Sequence, residues 1–350
     1  MSFSLDGWTC KLHQSYFDLM FGIFRTLLAL AVVFGHLGSV PHIGAYAVFG
    51  FYFLSGYLMT YIMHHTYGYS LKGISQFCLN RWLRIFPIYY FSATLSLILV
   101  LLLGEEFTRS FHENIGFPQS TDQILRNLFL ILTIHTDTRL VPPAWALTVE
   151  CFYYLCIGFG LSATPLRTLI WFMASVTYTI YLIIGGASPS YRYFPVAAAS
   201  LPFSAGALLY HFRQLKVYHS VVLAGNNLLV ILILTITFNY IFGVYLMQSP
   251  RGVCFYINLL LTGFVINNLC ERKKVFSIDK NLDSIIGDLS YPIYLLHYQC
   301  GLVVSYLASG WQLSRGLFLL AAVPIVIASG FLMARFFERP IEKIRNKIKR

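Results

Sequence analysis

Long apolar runs broken by short polar segments set the pattern of this chain. A membrane-spanning helix needs about 20 consecutive, mostly apolar residues. Ten stretches meet that measure, near 20–38, 43–63, 85–104, 143–161, 168–185, 194–211, 221–241, 252–269, 290–309 and 315–334. An eleventh, Ile124 to Ile134, is too short to span and reads as a re-entrant or interfacial piece inside the 105–142 loop. Neither an internal repeat nor a low-complexity linker interrupts the pattern. It predicts an all-α polytopic membrane protein of about ten transmembrane helices, forming one domain over residues 1–350. Residues 1–19 are polar and mixed, and no small-residue cleavage site follows a short apolar core. The first run is therefore expected to stay as a membrane helix.

Composition narrows the class further. Of 350 residues, 57% are hydrophobic and 11% are charged, against roughly 25% charged in soluble domains. This argues against a soluble enzyme, a disordered chain and a nucleic-acid binder, despite a net charge of +11. The basic residues lie between apolar runs rather than in a folded polar domain. With the N-terminus inside, 18 of the 25 Lys and Arg residues fall in inside segments and 6 in outside segments, with Arg25 in the first span. The positive-inside rule then predicts two cytoplasmic termini, and a basic tail over 335–350 resting on anionic headgroups. The 7 cysteines are scattered and form no CxxC pair, so neither a disulfide framework nor a metal site is expected.

Four ionisable groups sit at bilayer depth: Arg25, His36, Glu150 and His297. Each costs roughly 2.5–3.5 kcal/mol on insertion scales, and such groups usually mark function. The bland readings are a snorkelling arginine and histidines at headgroup level. Arg25 and His36 are eleven residues apart, which is about three helical turns and roughly 16 Å along one face. Arg25 then lies in the cytoplasmic half, His36 and Glu150 share the outer half, and His297 lies near the middle. A cation inward and an imidazole outward suit a reaction whose substrates arrive from opposite sides.

Three further features carry chemistry. Arg81-Trp82-Leu83-Arg84 places two guanidiniums on one helix face, to grip phosphates or simply to anchor the inner membrane edge. Trp82 and Pro87-Ile88-Tyr89-Tyr90 read as an interfacial aromatic belt. In Phe51-Tyr52-Phe53-Leu54-Ser55-Gly56-Tyr57, Ser55 and Gly56 serve either close helix packing or a ligand. Asn226, Asn227, Asn267 and Asn268 read as interhelical glue.

Taken in order, these stretches resemble the integral-membrane acyltransferase family 3, whose members O-acylate glycans. Arg25 and His36 resemble its Arg-x10-His signature, and Phe51 to Gly56 its aromatic Ser-Gly motif. Arg81 to Tyr89 resembles Arg-x-x-Arg-Ile-x-Pro-x-Tyr. Ala144-Trp145-Ala146-Leu147-Thr148-Val149-Glu150 is similar to Trp-Ser-Leu-x-Val-Glu. Ile286 to His297 resembles Gly-x-x-Ser-Tyr-x-x-Tyr-Leu-x-His, and Glu338-Arg339-Pro340 the family's end. The likeness runs over residues 25–340. Two positions depart: Ala146 stands where Ser is more usual, and Cys151 where many members carry a second Glu.

The resemblance implies transfer of an acyl group, most often acetyl, from cytoplasmic acyl-coenzyme A to a sugar hydroxyl of a cell-surface glycan or lipid-linked glycan. Lipopolysaccharide O-antigen and exopolysaccharide are among the candidate acceptors. It also implies a bacterial inner membrane, with acetyl-CoA as donor substrate rather than bound cofactor. Some members carry an extra soluble esterase-like domain, which is not expected here. Arg81 and Arg84 are expected to hold coenzyme A phosphates. Arg25 is expected either to bind a phosphate or to align the thioester carbonyl. His36 is expected to act as general base, with Glu150 orienting it or stabilising its charged form. Ser290, Tyr291 and His297 are candidate pocket residues beside Ser55 and Gly56. Trp145 is expected either to stack on a sugar or to join the belt. Direct transfer in a ternary complex is expected over an acyl-enzyme on His36 or Ser55. Two other classes stay open: a transporter or flippase for an anionic lipid or glycan, and an inactive scaffold.

Overall fold

Each of the ten apolar stretches contains a helix in the computed structural model, which describes residues 19–131, 138–215, 225–270, 272–311 and 313–348. In chain order the helices are α1 (Gly22–Leu37), α2 (Ile43–Ile62), α3 (Leu71–Leu103), α4 (Glu105–Phe111), α5 (Thr121–Phe129), α6 (Trp145–Gly158) and α7 (Pro165–Ile184). They continue with α8 (Ser200–Arg213), α9 (Asn226–Ile241), α10 (Val253–Cys270), α11 (Lys280–Gly287), α12 (Ser290–Leu307), α13 (Arg315–Met333) and α14 (Arg339–Ile348). Among the described residues there is no strand. Among the described residues, six helical segments are long and apolar enough to cross a membrane: Ile43–Tyr67, Leu71–Leu103, Pro165–Ile184, Asn226–Leu246, Val253–Cys270 and Arg315–Ile348. α1 is apolar but shorter.

Local chemistry sets the helix ends. Ser70, Thr164 and Ser314 cap α3, α7 and α13 through their side-chain oxygens, each satisfying an amide that the first turn leaves unpaired. α1 has no such residue at its start. Its cap comes from Asp283 on α11, whose carboxylate accepts from Gly22 N at 2.7 Å and Ile23 N at 2.8 Å.

α3 differs from its predicted span. It begins at Leu71, fourteen residues before the apolar stretch at 85, so Arg81 and Arg84 lie inside a helix of 33 residues. The aromatic-belt reading of Tyr89 also gives way. Tyr89 is 2% exposed and donates to the Asn127 carbonyl, because a buried hydroxyl needs a partner. Tyr90 donates to the Leu128 carbonyl at 2.9 Å, and together they tie α3 to α5. α5 accounts for part of the short Ile124 to Ile134 stretch; residues 132–137 lie outside the described residues.

α2 is the central helix and is apolar all round, as a fully buried helix should be. It packs against α1, α6, α8 and α10. Its crossing with α8 is set by two glycines. A side chain at Gly56 would overlap the Phe203 carbonyl, and one at Gly206 the Phe53 carbonyl. Three of the four asparagines, Asn226, Asn267 and Asn268, join helices through arginines. Arg213 on α8 donates to Asn267 on α10 at 2.9 Å. Arg272 bonds Asn268 at 2.7 Å and also Asn226 at the start of α9.

The bundle has two distinct ends. At one end, Tyr240 donates to the Pro41 carbonyl at 2.7 Å, and Trp145 meets Tyr193. At the other end, Asp283 caps α1 and Arg84 pairs with Glu338.

Candidate active site

A cavity of about 200 Å³ opens at the Asp283 end, between α1, α2, α3, α6, α11, α12 and α14. It collects most of the polar residues that the sequence singles out. Arg25, Ser55, Arg81, Arg84, Glu150 and Tyr291 all line it, as does Ser290. Gly56 faces α8 instead, so the Ser-Gly pair divides its work: Ser55 faces the cavity and Gly56 admits the neighbouring helix.

The two arginines of α3 are held by the protein itself. Arg84 pairs with Glu338, which follows α13 and is 2% exposed, and lies 5.8 Å from the centre of the Tyr291 ring. Arg81 donates to Asn80 Oδ1 at 2.6 Å and lies 3.7 Å from Met59 Sδ. Asn80 also accepts from Arg345 of α14 and donates to its carbonyl. Arg25 stands differently. Its Nε is buried with no hydrogen-bond partner among the described residues, and the side chain borders the cavity.

Glu150 lies on α6 at the cavity wall. Ser55 Oγ donates to it at 3.2 Å, and Tyr154 OH donates to its second oxygen at 3.2 Å. Its hydrogen-bond partners in the cavity are thus two hydroxyls. The His36 ring has a different partner from the one expected. His36 Nδ1 lies 2.9 Å from His297 Nε2, with the two rings 13° from parallel.

That contact determines the tautomers. His297 Nδ1 is 2.7 Å from the Tyr294 carbonyl. A carbonyl only accepts, so Nδ1 carries the proton and the Nε2 of a neutral ring carries a lone pair. His36 Nδ1–H must then donate to it, which leaves the lone pair of His36 on Nε2. Nε2 faces the first turn of α2, where a side-chain carbon built on Gly44 would lie 3.9 Å away. His36 is exposed, whereas His297 is completely buried. Tyr294 joins this pair to the cavity: its side chain lines the cavity, its hydroxyl donates to the Pro143 carbonyl at 2.7 Å, and its backbone holds His297.

Sequence reasoning passed over several residues of this constellation. Asp283 and Asn80 had no motif spacing to mark them, Arg345 counted only as one charge of the basic tail, and Glu338 was marked by the closing Glu338-Arg339-Pro340 without a partner. His112, in the 105–142 loop, packs edge-on against Tyr298 at 4.8 Å, and Tyr298 lies 4.6 Å from His297 and 5.1 Å from His36. Trp145 stands apart from the cavity, against Tyr193 and Phe194 at the opposite end.

A family profile described as an acyltransferase domain matches residues 18–335. Comparison with curated proteins gave no match, and neither did comparison with solved structures.

Proposed function

The chain belongs to the integral-membrane acyltransferase family 3, and from that premise we propose that it moves an acyl group, most often acetyl, from acyl-coenzyme A to a glycan hydroxyl. The observation that carries this reading is an imidazole base, His36, joined through His297 and Tyr294 to a cavity lined by arginines. The proposed topology has ten spans with both termini cytoplasmic in a bacterial inner membrane. The cavity then opens to the cytoplasm, where coenzyme A is found, and His36 faces the side where a cell-surface glycan is met.

Arg25 is the cavity cation available to a phosphate or to the thioester carbonyl. Arg81, braced by the neutral Asn80, supplies fixed positive charge, which attracts an anionic donor without reorganising, while Arg84 shares its charge with Glu338 and offers its remaining N–H donors to the cavity. The acceptor hydroxyl oxygen attacks the thioester carbonyl carbon, and its proton passes to His36 Nε2. The C–S bond breaks, coenzyme A leaves as its thiolate, and the proton on His36 returns to that sulfur or to solvent. While His36 is positive, its Nδ1–H bond to His297 becomes charge-assisted and stronger. Glu150 holds Ser55 and Tyr154 at the cavity wall and shapes the space for the acyl end. Ser55, engaged with a carboxylate, is a hydrogen-bond donor in this scheme rather than a nucleophile.

The test uses purified protein in nanodiscs with radiolabelled acetyl-CoA and a lipid-linked glycan extract. Label is expected to reach glycan with wild type and not with His36→Ala. Equal transfer by His36→Ala removes His36 from the chemistry. Wild type that neither transfers label nor binds acetyl-CoA sinks the acyltransferase reading in favour of transport. Rapid quenching without acceptor is expected to leave the protein unlabelled; trapped acyl-protein would establish the covalent route instead.

A further inference from the structure

Three connections that contain no acidic residue meet at the end of the bundle opposite the cavity mouth. They are residues 38–42 between α1 and α2, 185–199 between α7 and α8, and 247–252 between the α9 segment and α10. They bring together Arg192, Arg251 and His42 beside Tyr193, Phe194 and Trp145. The Arg251 guanidinium lies 4.5 Å from the Tyr193 ring centre and 5.5 Å from that of Phe194. Trp145 meets the same two rings edge-on at 5.2 Å and 4.9 Å. Arg192 directly precedes Tyr193, the ring that Arg251 covers, and burial together with the Arg192 charge holds the Arg251 guanidinium below its usual value.

Contact with aromatic rings accounts for Arg251 alone. Arg192 beside it has the Tyr256 hydroxyl as a hydrogen-bond partner, a neutral group that leaves its charge uncompensated. Like charges at short range repel, and the usual remedy is a carboxylate. That remedy is used elsewhere at this end, where Arg109 pairs with Glu105 and Arg126 with Asp122, each at 2.7 Å. Arg192 and Arg251 are both half-buried, and the Nε of each is buried with no hydrogen-bond partner among the described residues. Two planar forks, each with an Nε–H that has no partner among the described residues, stand beside an aromatic wall and form a recognition surface for a carboxylate or phosphate carried on a ring.

The location connects this surface with the chemistry. Tyr193 is 5% exposed and stacks 5.5 Å from Phe49, whose ring lies 6.0 Å from that of the cavity residue Tyr52. Partial burial and the Arg251 charge hold His42 below the usual imidazole value, and His42 immediately precedes α2. The first turn of α2 carries Gly44, which faces His36 Nε2.

We infer that Arg192 and Arg251 form an anion subsite for an acidic glycan acceptor, with its carboxylate or phosphate on the two guanidiniums and its sugar ring against Trp145 and Phe194. The inference rests on the acyltransferase reading for the direction of the acceptor hydroxyl, toward His36.

The experiment uses the full chain in phosphatidylcholine nanodiscs and reads binding by thermophoresis. The probes are a tetragalacturonate and a neutral maltotetraose of equal length. Wild type is expected to bind the acidic probe at least about tenfold more tightly, with the advantage shrinking as salt rises. An Arg192→Gln, Arg251→Gln double variant is expected to lose that advantage and keep its acetyl-CoA affinity, which also shows that it is folded. Arg251→Lys, which keeps charge and loses the fork, is expected to fall between them. Galacturonate and glucose 1-phosphate as competitors separate carboxylate from phosphate. Equal binding of the two tetrasaccharides by wild type overturns the inference, as does binding of neither, or an undiminished preference in the double variant. If the double variant differs from wild type only when phosphatidylglycerol is added to the disc, the pair is a headgroup anchor and the inference falls. Absence of acetyl-CoA binding by wild type is a separate result, which removes the acyltransferase reading and leaves the saccharide measurements to stand alone.

Discussion

His297 has one nitrogen committed to the Tyr294 carbonyl and the other facing His36. It acts on the reaction through His36, as a positioning residue. His297→Ala is expected to lower kcat on the order of 10²-fold, within the range that a general base supplies, while the acetyl-CoA KM stays nearly constant. His297→Gln, whose carbonyl can still accept from Nδ1, is expected to recover part of that loss. A change confined to KM in steady-state kinetics would contradict the tautomer argument. Glu338 has a different kind of role. It is buried against Arg84, so Glu338→Gln leaves a partly buried guanidinium without its counter-charge. Removing one partner of a buried pair costs roughly 3–5 kcal/mol, and partial access to solvent places Arg84 at the lower end. A fall in Tm is the expected readout, with partial recovery in an Arg84→Met, Glu338→Leu double variant. Polar residues such as His36 and His297 are visible in the sequence because they interrupt apolar runs. Their contact joins positions 261 residues apart, and no local pattern encodes that distance.

At the scale of elements, α14 is the clearest case of a segment whose role changed on folding. As sequence, 335–350 reads as a basic tail on the membrane surface. Folded, α14 lies along α3 and supplies Glu342 and Arg345 to the cavity wall, with Arg345 7% exposed and bonded to Asn80. Truncation after Glu338 removes that wall. Acetyl-CoA affinity is expected to drop at least about tenfold, the scale of one lost hydrogen bond to a charged group, as measured by titration. An unchanged affinity would return α14 to the role of a lipid anchor. The α2–α8 crossing makes the opposite point. Gly56 and Gly206 sit where backbone meets backbone, so Gly56→Val is expected to abolish monodisperse protein in detergent rather than to alter kinetics. Small residues in an apolar run announce close packing, but which helix they admit depends on the partner.

At the scale of the molecule, the cavity and the paired arginines Arg192 and Arg251 lie at opposite ends, with the histidine pair between them in the proposed path. A cysteine introduced at Gln248, in the 247–252 connection, is expected to react with an impermeant maleimide on intact cells. One at Lys347 is expected to react only after permeabilisation. The reverse pattern would invert the proposed topology. The 105–142 loop contributes His112 to the cluster around His36 and is proposed to shape acceptor choice along with the arginine pair. Exchange of this loop with that of a relative is expected to change acceptor specificity and leave acetyl-CoA binding as it was; unchanged specificity would remove the loop from that role.

Hydropathy determined the class of this protein before any fold was known. Partition into a bilayer is close to a sum of transfer free energies over one segment, so apolar runs reveal membrane helices without reference to neighbours. The same logic exposed Arg25, His36, Glu150 and His297, because each raises the cost of its own segment, and the motif order pointed to the family. Tertiary structure alone decided who meets whom: His36 with His297, Glu150 with Ser55 and Tyr154, Arg84 with Glu338, and the start of α1 with Asp283. Hydrogen bonds and ion pairs require two atoms at set distance and angle. That geometry is a property of two packed elements together, and neither element carries it in its own sequence.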